Sequence, residues 1–483
     1  MVRKKMLKKT LILGVFLTIL FQNLLSVGAS DLNTEIYESI EKGVSYIYDK
    51  QFDQFGEEGE IAVYCNIANI SVNDKIYMKI NFGTSFAYHS LGFLEDMSLN
   101  SSTKLQLSHI RNNSIGFLKR KMELDEHDDP NVIGADVGGV VWRHYYGDDV
   151  PKNYKNLTRA WGVPDLDDTV CSLQALYESG ENIDAYFPSS ASDYFIDFQM
   201  RDSFLINKLF TWHCWGAWHS YALLKTILMK KLNVFDRSVP FNFLEHNSFN
   251  TWISEKNQVF HRVEDYDVVV NANALFFLSQ QMNSADMQNK IPGVFDFINE
   301  GLLRVNNNRN TITFPQTWSA PFHYSGYYPS PFQFTFTVSR AYKDGGAPIF
   351  GEHSIDIDKV YAFLLADDDK DGMIDRQKDD GSWGNFEIVQ GERALVTNDF
   401  ETAQAALSLL NIYDTLNSSE KIEATFAINK SIEYLLENQN DDGSWDSGLW
   451  FWGNYIHSGS SEVTTAFVLE TFAKYVNIFL VSI

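Results

Sequence analysis

The chain has 483 residues, 45% hydrophobic and 14% aromatic, with a formal net charge of −24. It is too apolar for a disordered chain and long enough for one large domain or two to three smaller ones. The acidic balance argues against nucleic acid, whose phosphates call for basic patches, and three cysteines are too few for a disulfide framework.

Arg3, Lys4, Lys5, Lys8 and Lys9 precede an apolar run from Leu11 to Phe21, and Val27, Gly28 and Ala29 follow. That is the charged, apolar, small-residue order of a secretory signal. Residues 1–29 are expected to be a signal peptide and residues 30–483 the exported protein, since the apolar core is short for a membrane span. Beyond it, Ile36, Ile40, Val44 and Ile47 recur at helical spacing. Ala403, Ala406, Leu407 and Leu410 form a second stripe, and Phe467, Leu469, Phe472 and Val476 a third. Alternating, strand-like runs are scarce, so the chain reads as mostly α. Turns break it roughly every 15–25 residues, the rhythm of stacked helical hairpins or a closed ring of them.

Asp165, Asp167, Asp168 and Thr169 follow Pro164 and head an apolar helix carrying Val170, Leu173 and Leu176. Acids there serve ordinary capping and dipole compensation. Further on, Trp212, Trp215 and Trp218 recur at helical spacing, and Trp318, Phe322, Tyr324, Tyr327 and Tyr328 gather in a loop-like stretch. Aromatics of this kind pack a core or line a cavity. Asn271 and Asn273 interrupt the apolar helix from Asp267 to Leu278. Buried amides must be bonded, so they staple helices together or face the cavity.

Asp367, Asp369, Asp371 and Asp375, with Gly372 at the sixth position and Ile374 at the eighth, have calcium-loop spacing. Position 12 is Lys378, not the bidentate Glu, so the readings are a structural calcium or a solvated acidic turn. A repeated phrase follows. Lys430 to Trp445 joins a helix to a turn; Gln377, Gly381, Ser382 and Trp383 repeat its second half, and Lys42 to Gln51 its first half, with no Trp after Gly56. The Gly suits a left-handed helix end, the Gln can bond backbone there, and the Trp can cap the apolar layer between helices. The apolar C-terminus from Tyr475 to Ile483 is expected to pack rather than insert, and no stretch beyond residue 30 reads as a membrane span.

The spacing of Gln439, Gly443, Ser444 and Trp445 resembles the QW motif of the squalene cyclase and prenyltransferase repeat superfamily. The Asp165–Thr169 motif resembles the DXDD motif of class II terpene cyclases, squalene–hopene cyclases among them. The resemblance implies an all-α fold, an α/α toroid of one large or two compact rings. It also implies an isomerase that protonates an alkene or epoxide and so starts carbocation cyclisation of a linear polyprenoid. Matched to the motif, Asp167 is the general acid and Asp165 and Asp168 its acidic neighbours.

An alkene is a very weak base, so its donor must be a strong acid that nonetheless keeps its proton. Burial and neighbouring carboxylates hold the proton, and hydrogen bonds orient it. A partner for Asp167 is therefore expected, with His144, His213 and His219 as unranked candidates. Trp212, Trp215, Trp318, Asn271 and Asn273 are the candidate substrate contacts, because a cation cascade needs a dry, aromatic cavity.

No cofactor is required beyond the candidate calcium. Glu95-Asp96 lacks the last acid of the diphosphate-binding motif of diterpene cyclases, so a diphosphate substrate is unsupported. Export favours a membrane-dissolved isoprenoid, reached by peripheral contact with the membrane. Two alternatives stay open: a secreted toroidal glycan lyase or hydrolase using acids such as Asp136 or Asp267, and a non-catalytic toroid that binds a lipid or a partner.

Overall fold

The computed structural model describes residues 31–51, 58–67, 76–79, 81–124, 140–141, 145–146, 166–187, 189–196, 249, 267–307, 328, 330–344, 353–365, 372–384, 399–448, 451–453 and 456–480. Residues 1–29, the expected signal peptide, lie outside them. The helices, in chain order, are α1 (31–51), α2 (Asn81–Gly92), α3 (Ser101–Arg120), α4 (Leu166–Glu178), α5 (Ala191–Ile196), α6 (Val268–Gln281) and α7 (Ser284–Lys290). After them come α8 (Pro292–Asn307), α9 (Pro331–Lys343), α10 (Ile357–Leu364), α11 (Asp399–Ile412), α12 (Ser418–Glu437) and α13 (Ser461–Tyr475).

Two kinds of helix alternate. In α11 every residue is buried, as is every residue of α13 after Ser461 and every residue of α6 from Val268 to Leu278. They have almost no solvent-facing side, so their polar residues, such as Gln404 and Asn411 in α11, are buried as well. In α3 and α12 only a stripe is buried (Leu107, Ile110, Ser114 and Phe117 in α3), while Leu105, Ile422 and Phe426 face outward.

The buried helices close a ring. α2 packs on α4, α4 on α6, α6 on α9, α9 on α11, α11 on α13, and α13 back on α2. Against it lie α3 on α2 and α4, α5 and α8 on α6, α10 on α9, and α12 on α11. The last outer helix, α1, packs on α13, where Leu469 presses on Gly43. Among the described residues the fold is therefore one α/α toroid with six inner helices. Of the two expected forms, the described residues build a single ring.

The inner helices run parallel. Asp167 meets Asn273, and seven residues on Gln174 meets Gln280, so α4 and α6 advance together. Likewise Phe86 stacks on Phe467, and Ser90 donates to Glu470, so α2 and α13 do too. All six N-termini consequently open on one face.

The repeated turns lace the outer helices. Gln377 Nε2 donates to the Gly381 carbonyl of its own turn at 2.9 Å and to Ala427 O on α12 at 2.8 Å. Gln439 Nε2 donates to Gly443 O at 3.0 Å and to Ser39 O on α1 at 2.9 Å, joining the last outer helix to the first. Trp383 and Trp445 are fully buried; their indole N–H groups donate to Met373 O and Leu435 O at 2.8 and 2.7 Å.

A third copy stands at α1. Gln51 Nε2 donates to Gly59 O at 2.9 Å and Ile110 O on α3 at 3.2 Å. Its glycine is Gly59 rather than Gly56, displaced by a longer turn. Ile61 occupies the Trp position, because its N–H meets Thr84 as Trp383 meets Thr402 and Trp445 meets Thr465. Gly59, Gly381 and Gly443 share φ of +84°, +88° and +90°. A Cβ there would also strike the carbonyls of Asn113, Lys430 and Lys42 at 2.1, 2.2 and 2.5 Å.

The strand-poor sequence does contain a small antiparallel sheet. Strands β1 (Val63–Ile67), β2 (Ile76–Lys79), β5 (Tyr145–Tyr146), β6 (Phe451–Gly453) and β7 (Ile456–Gly459) take the order β5-β2-β1-β7-β6. Tyr64 pairs with Gly459 and Asn66 with His457, so the sheet ties the entry to α2 to the entry to α13. A two-stranded pair, β3 (Glu123–Leu124) and β4 (Val140–Val141), stands apart. At the C-terminus the segment Ser461–Leu480 has the length and apolar character of a membrane span, which the sequence reading did not credit. Most of it is buried in the ring, and Phe479 packs on Tyr413 and Tyr475 as expected of a packing end.

Candidate active site

Asp167 and Asp168 sit in the first turn of α4 and are 5% and 2% exposed. A carboxyl so deep needs partners, and three reach Asp167, two of them from distant parts of the chain. Asn273 Nδ2, in the second turn of α6, donates to Oδ1 at 2.7 Å. The Tyr328 phenol, just before α9, donates to Oδ2. Cys171 lies one turn along α4, its thiol 3.9 Å from Oδ1.

Arg340 on α9 sets the orientation of Asn273. Its Nη2 donates to Asn273 Oδ1 at 2.6 Å, which turns the amide NH₂ toward Asp167. The guanidinium itself lies 4.6 Å from the Phe86 ring, 4.5 Å from Phe276 and 5.3 Å from Phe336. Its planar cation is held by aromatic faces from three inner helices.

Burial pushes the Asp167 carboxyl up to about 6, while the Tyr328 and Asn273 hydrogen bonds, the Arg340 charge and Cys171 pull it back down. Burial, with Asp167 beside it, raises the Tyr328 phenol well above its ordinary range, so it stays protonated and donates. The result is an acid protonated in mildly acidic solution, whose anion already has two donors in place. Of the two expected means of holding the proton, burial and neighbouring carboxylates, burial leads, and the polar partners are a phenol and an amide. His144, His213 and His219 lie outside the described residues.

From this corner an aromatic chain crosses the ring. Tyr328 is 6.0 Å from Phe82, Phe82 is 4.5 Å from Phe86, and Phe86 stacks 5.8 Å from Phe467. Phe336 and Phe400 each stand 5.1 Å from Phe467, edge to face. Four inner helices thus contribute rings to this chain, α6 places Phe276 beside Arg340, and α4 contributes the acid. Trp212, Trp215 and Trp318 lie outside the described residues. The phenylalanines were passed over because Phe at helical spacing is the commonest mark of an ordinary core.

The opposite end of the ring is closed by charge. Lys474 Nζ, at the end of α13, contacts Asp344 Oδ2 at 2.8 Å, Asn411 Oδ1 at 2.6 Å and Glu470 Oε1 at 3.1 Å. Burial opposes its charge, but Asp344 and Glu470 outweigh that and raise its pKa. Beside it His89 Nδ1 and Glu178 Oε1 are 2.7 Å apart.

The remaining predicted residues divide. Asn271 is the stapling amide: it donates to Phe249 O at 3.1 Å and Asp267 O at 2.9 Å and accepts from Phe249 N at 2.8 Å. Both ends of the amide are spent on backbone, the stapling arrangement of the two uses expected for it. Asn273 faces the acid instead. Asp267, an acid of the glycan-processing alternative, is fully buried and caps α6, accepting from Val269 N at 2.7 Å. Asp165 and Asp136 lie outside the described residues. So do Asp367, Asp369 and Asp371; Asp375 accepts from Gly372 N at 2.8 Å, as an acidic turn does. Among the described residues no three His, Cys, Asp or Glu side chains converge on a metal-sized site.

No protein-family model matches the sequence, and no curated protein is similar to it. Among solved structures the chain is similar to the type II terpene cyclase MstE from Scytonema. To a variant of MstE in complex with geranylgeranyl dihydroxybenzoate it has 13% identity and a TM-score of 0.49, covering 93% of this chain and 99% of that one. To apo MstE it has 15% identity and a TM-score of 0.45, covering 92% and 99%. Identities this low transfer no residue's role from one chain to the other.

Proposed function

We propose that the protein is a class II terpene cyclase-like enzyme that cyclises a linear polyprenoid by protonating it with Asp167. The observation that carries this reading is the environment of Asp167: a buried carboxyl raised to about 6, gripped by Tyr328 and Asn273, at one side of an aromatic ring interior.

The proton of Asp167 passes to the terminal alkene carbon, or to an epoxide oxygen, forming one bond as the carboxyl O–H breaks. The tertiary cation left behind draws electrons from the next alkene, and each ring closure moves the cation along the chain. Phe82, Phe86, Phe276, Phe336, Phe400 and Phe467 supply ring faces that stabilise positive charge without offering a nucleophile. The Asp167 carboxylate is meanwhile held by Tyr328 and Asn273, with the Arg340 charge behind the amide. Loss of a proton ends the cascade, so substrate and product are isomers. The expected extracytoplasmic location and membrane-dissolved substrate are part of the same proposal.

The test is incubation with squalene, oxidosqualene and linear polyprenoids, with products separated by gas chromatography and mass spectrometry. Cyclic product is expected from the wild type and not from Asp167→Asn. Cyclic product that survives the substitution would refute Asp167 as the acid.

A further inference from the structure

Two side chains in the ring interior remain unused by this chemistry. Gln333 on α9 and Gln404 on α11 are both 0% exposed, and in each both the amide nitrogen and the amide oxygen lack a hydrogen-bond partner. Buried amides are normally bonded, and every unmade bond costs stability. Four such groups on neighbouring helices are therefore a feature that needs an explanation.

Their helices aim them inward. Gln333, Phe336 and Arg340 are three and four residues apart, on one face of α9. That face points at the axis: Arg340 reaches Phe86 on α2, directly across the ring, and Phe336 meets Phe467 on α13. Gln404 is four residues after Phe400, which also meets Phe467, and seven before Asn411, which bonds both Ser339 of α9 and Lys474 of α13. The Asn411–Ser339 bond fixes the register of the two parallel helices, and two turns back it brings Gln404 level with the start of α9.

Their place in the ring is opposite the acid. In the order α2, α4, α6, α9, α11, α13, helix α11 stands three places from α4 and faces it. A polyprenoid whose terminal alkene lies at Asp167 therefore extends its other end toward α9 and α11. The amides offer donors and acceptors but no charge. No Lys or Arg occurs in α11, its first turn carries the acids Asp399 and Glu401, and Arg340 is committed to Asn273.

We infer that Gln333 and Gln404 bind a neutral oxygen group at the end of the substrate remote from Asp167, making the preferred substrate an oxygenated polyprenoid such as a prenyl alcohol. The inference rests on the cyclase reading for the direction of the substrate, but binding tests it separately from turnover.

The probes are geranylgeraniol, the hydrocarbon of the same skeleton without the hydroxyl, and geranylgeranyl diphosphate. Binding is measured by calorimetry to the full chain carrying Asp167→Asn, so no turnover is needed. The expected result is tighter binding of the alcohol than of either comparator, by about tenfold to a hundredfold over the hydrocarbon, the worth of one or two well-made hydrogen bonds. Adding Gln333→Met and Gln404→Met, which keep length and remove the amides, should erase that preference while leaving hydrocarbon binding in place. The Met variants should also melt no lower than their parent, because they remove unpaired buried polar groups. Equal affinity for alcohol and hydrocarbon, a preference for the diphosphate, a preference that survives both substitutions, or a marked loss of melting temperature would each overturn the inference. Failure of catalysis with intact alcohol preference would instead count against the cyclase reading alone.

Discussion

Asn273 donates to Asp167 at 2.7 Å, although 106 residues separate the two. The bond ties the first turn of one inner helix to the second turn of the next, and Arg340 behind it determines which end of the amide faces the acid. A hydrogen bond to a charged group is worth about 1.5–3 kcal/mol. Asn273→Leu should therefore slow cyclisation by about tenfold to a hundredfold. It should also move the midpoint of the pH–rate profile upward, since a donor that favours the carboxylate is gone. A profile with an unchanged midpoint would show that the amide does not act on the acid.

Activity should fall as pH rises through about 6, because the protonated fraction of Asp167 falls with it. Stability should follow the same sign. A carboxyl whose folded pKa lies above the unfolded 3.8 contributes stability that is complete below that value and lost as pH rises through about 6. Two units correspond to about 3 kcal/mol at most. Denaturant melts from pH 4 to pH 7 should show this loss in the wild type, and Asp167→Asn should flatten it.

Tyr328 and Cys171 both approach Asp167, but with different strength. The phenol is a full donor to Oδ2, whereas a thiol at 3.9 Å is a weak one. Tyr328→Phe should reduce turnover by about tenfold or more and raise the pH midpoint, on the same hydrogen-bond scale. Cys171→Ala should change turnover by less than about threefold, as befits a weak donor. Steady-state rates across pH for both variants separate the two cases.

Ring closure can be tested without substrate. Gly443→Ala forces a Cβ into a position with φ of +90° and 2.5 Å from Lys42 O, so it should destabilise the fold by more than about 1 kcal/mol. Trp445→Ala empties a fully buried site and should cost about 3–5 kcal/mol. Gln439→Leu breaks the bond from the last outer helix to Ser39 on the first. Chemical denaturation measures all three, and a loss of cooperativity in Gln439→Leu would mark the ring opening at that seam.

Local features were legible in the residues themselves. The acids in the first turn of α4 before Val170, the glycine turns at Gly381 and Gly443, and the apolar inner helices all follow from propensity, turn chemistry and helical period, which act over a few residues. The third turn was half legible: Gln51 announced it, but a longer loop hid Gly59, and Ile61 replaced the tryptophan.

The choice between two uses of one residue type was not legible. Asn271 and Asn273 are two apart in the same helix, yet one staples backbone and the other holds the acid. Two residues are about 200° of helical rotation, so the amides face different neighbours, and only the packing says which neighbours those are.

Sequence by itself thus determined that this chain would form paired helices with an acidic turn at the head of one of them, because those outcomes depend on short-range forces. The tertiary structure alone decided that six inner helices close into one ring. It also decided that Tyr328 and Asn273 meet at Asp167 with Arg340 behind the amide, and that Phe82, Phe86, Phe336, Phe400 and Phe467 come together among the described residues. The raised pKa of Asp167 belongs to that second class: burial causes it, and burial is a property of the closed ring rather than of the residues on either side.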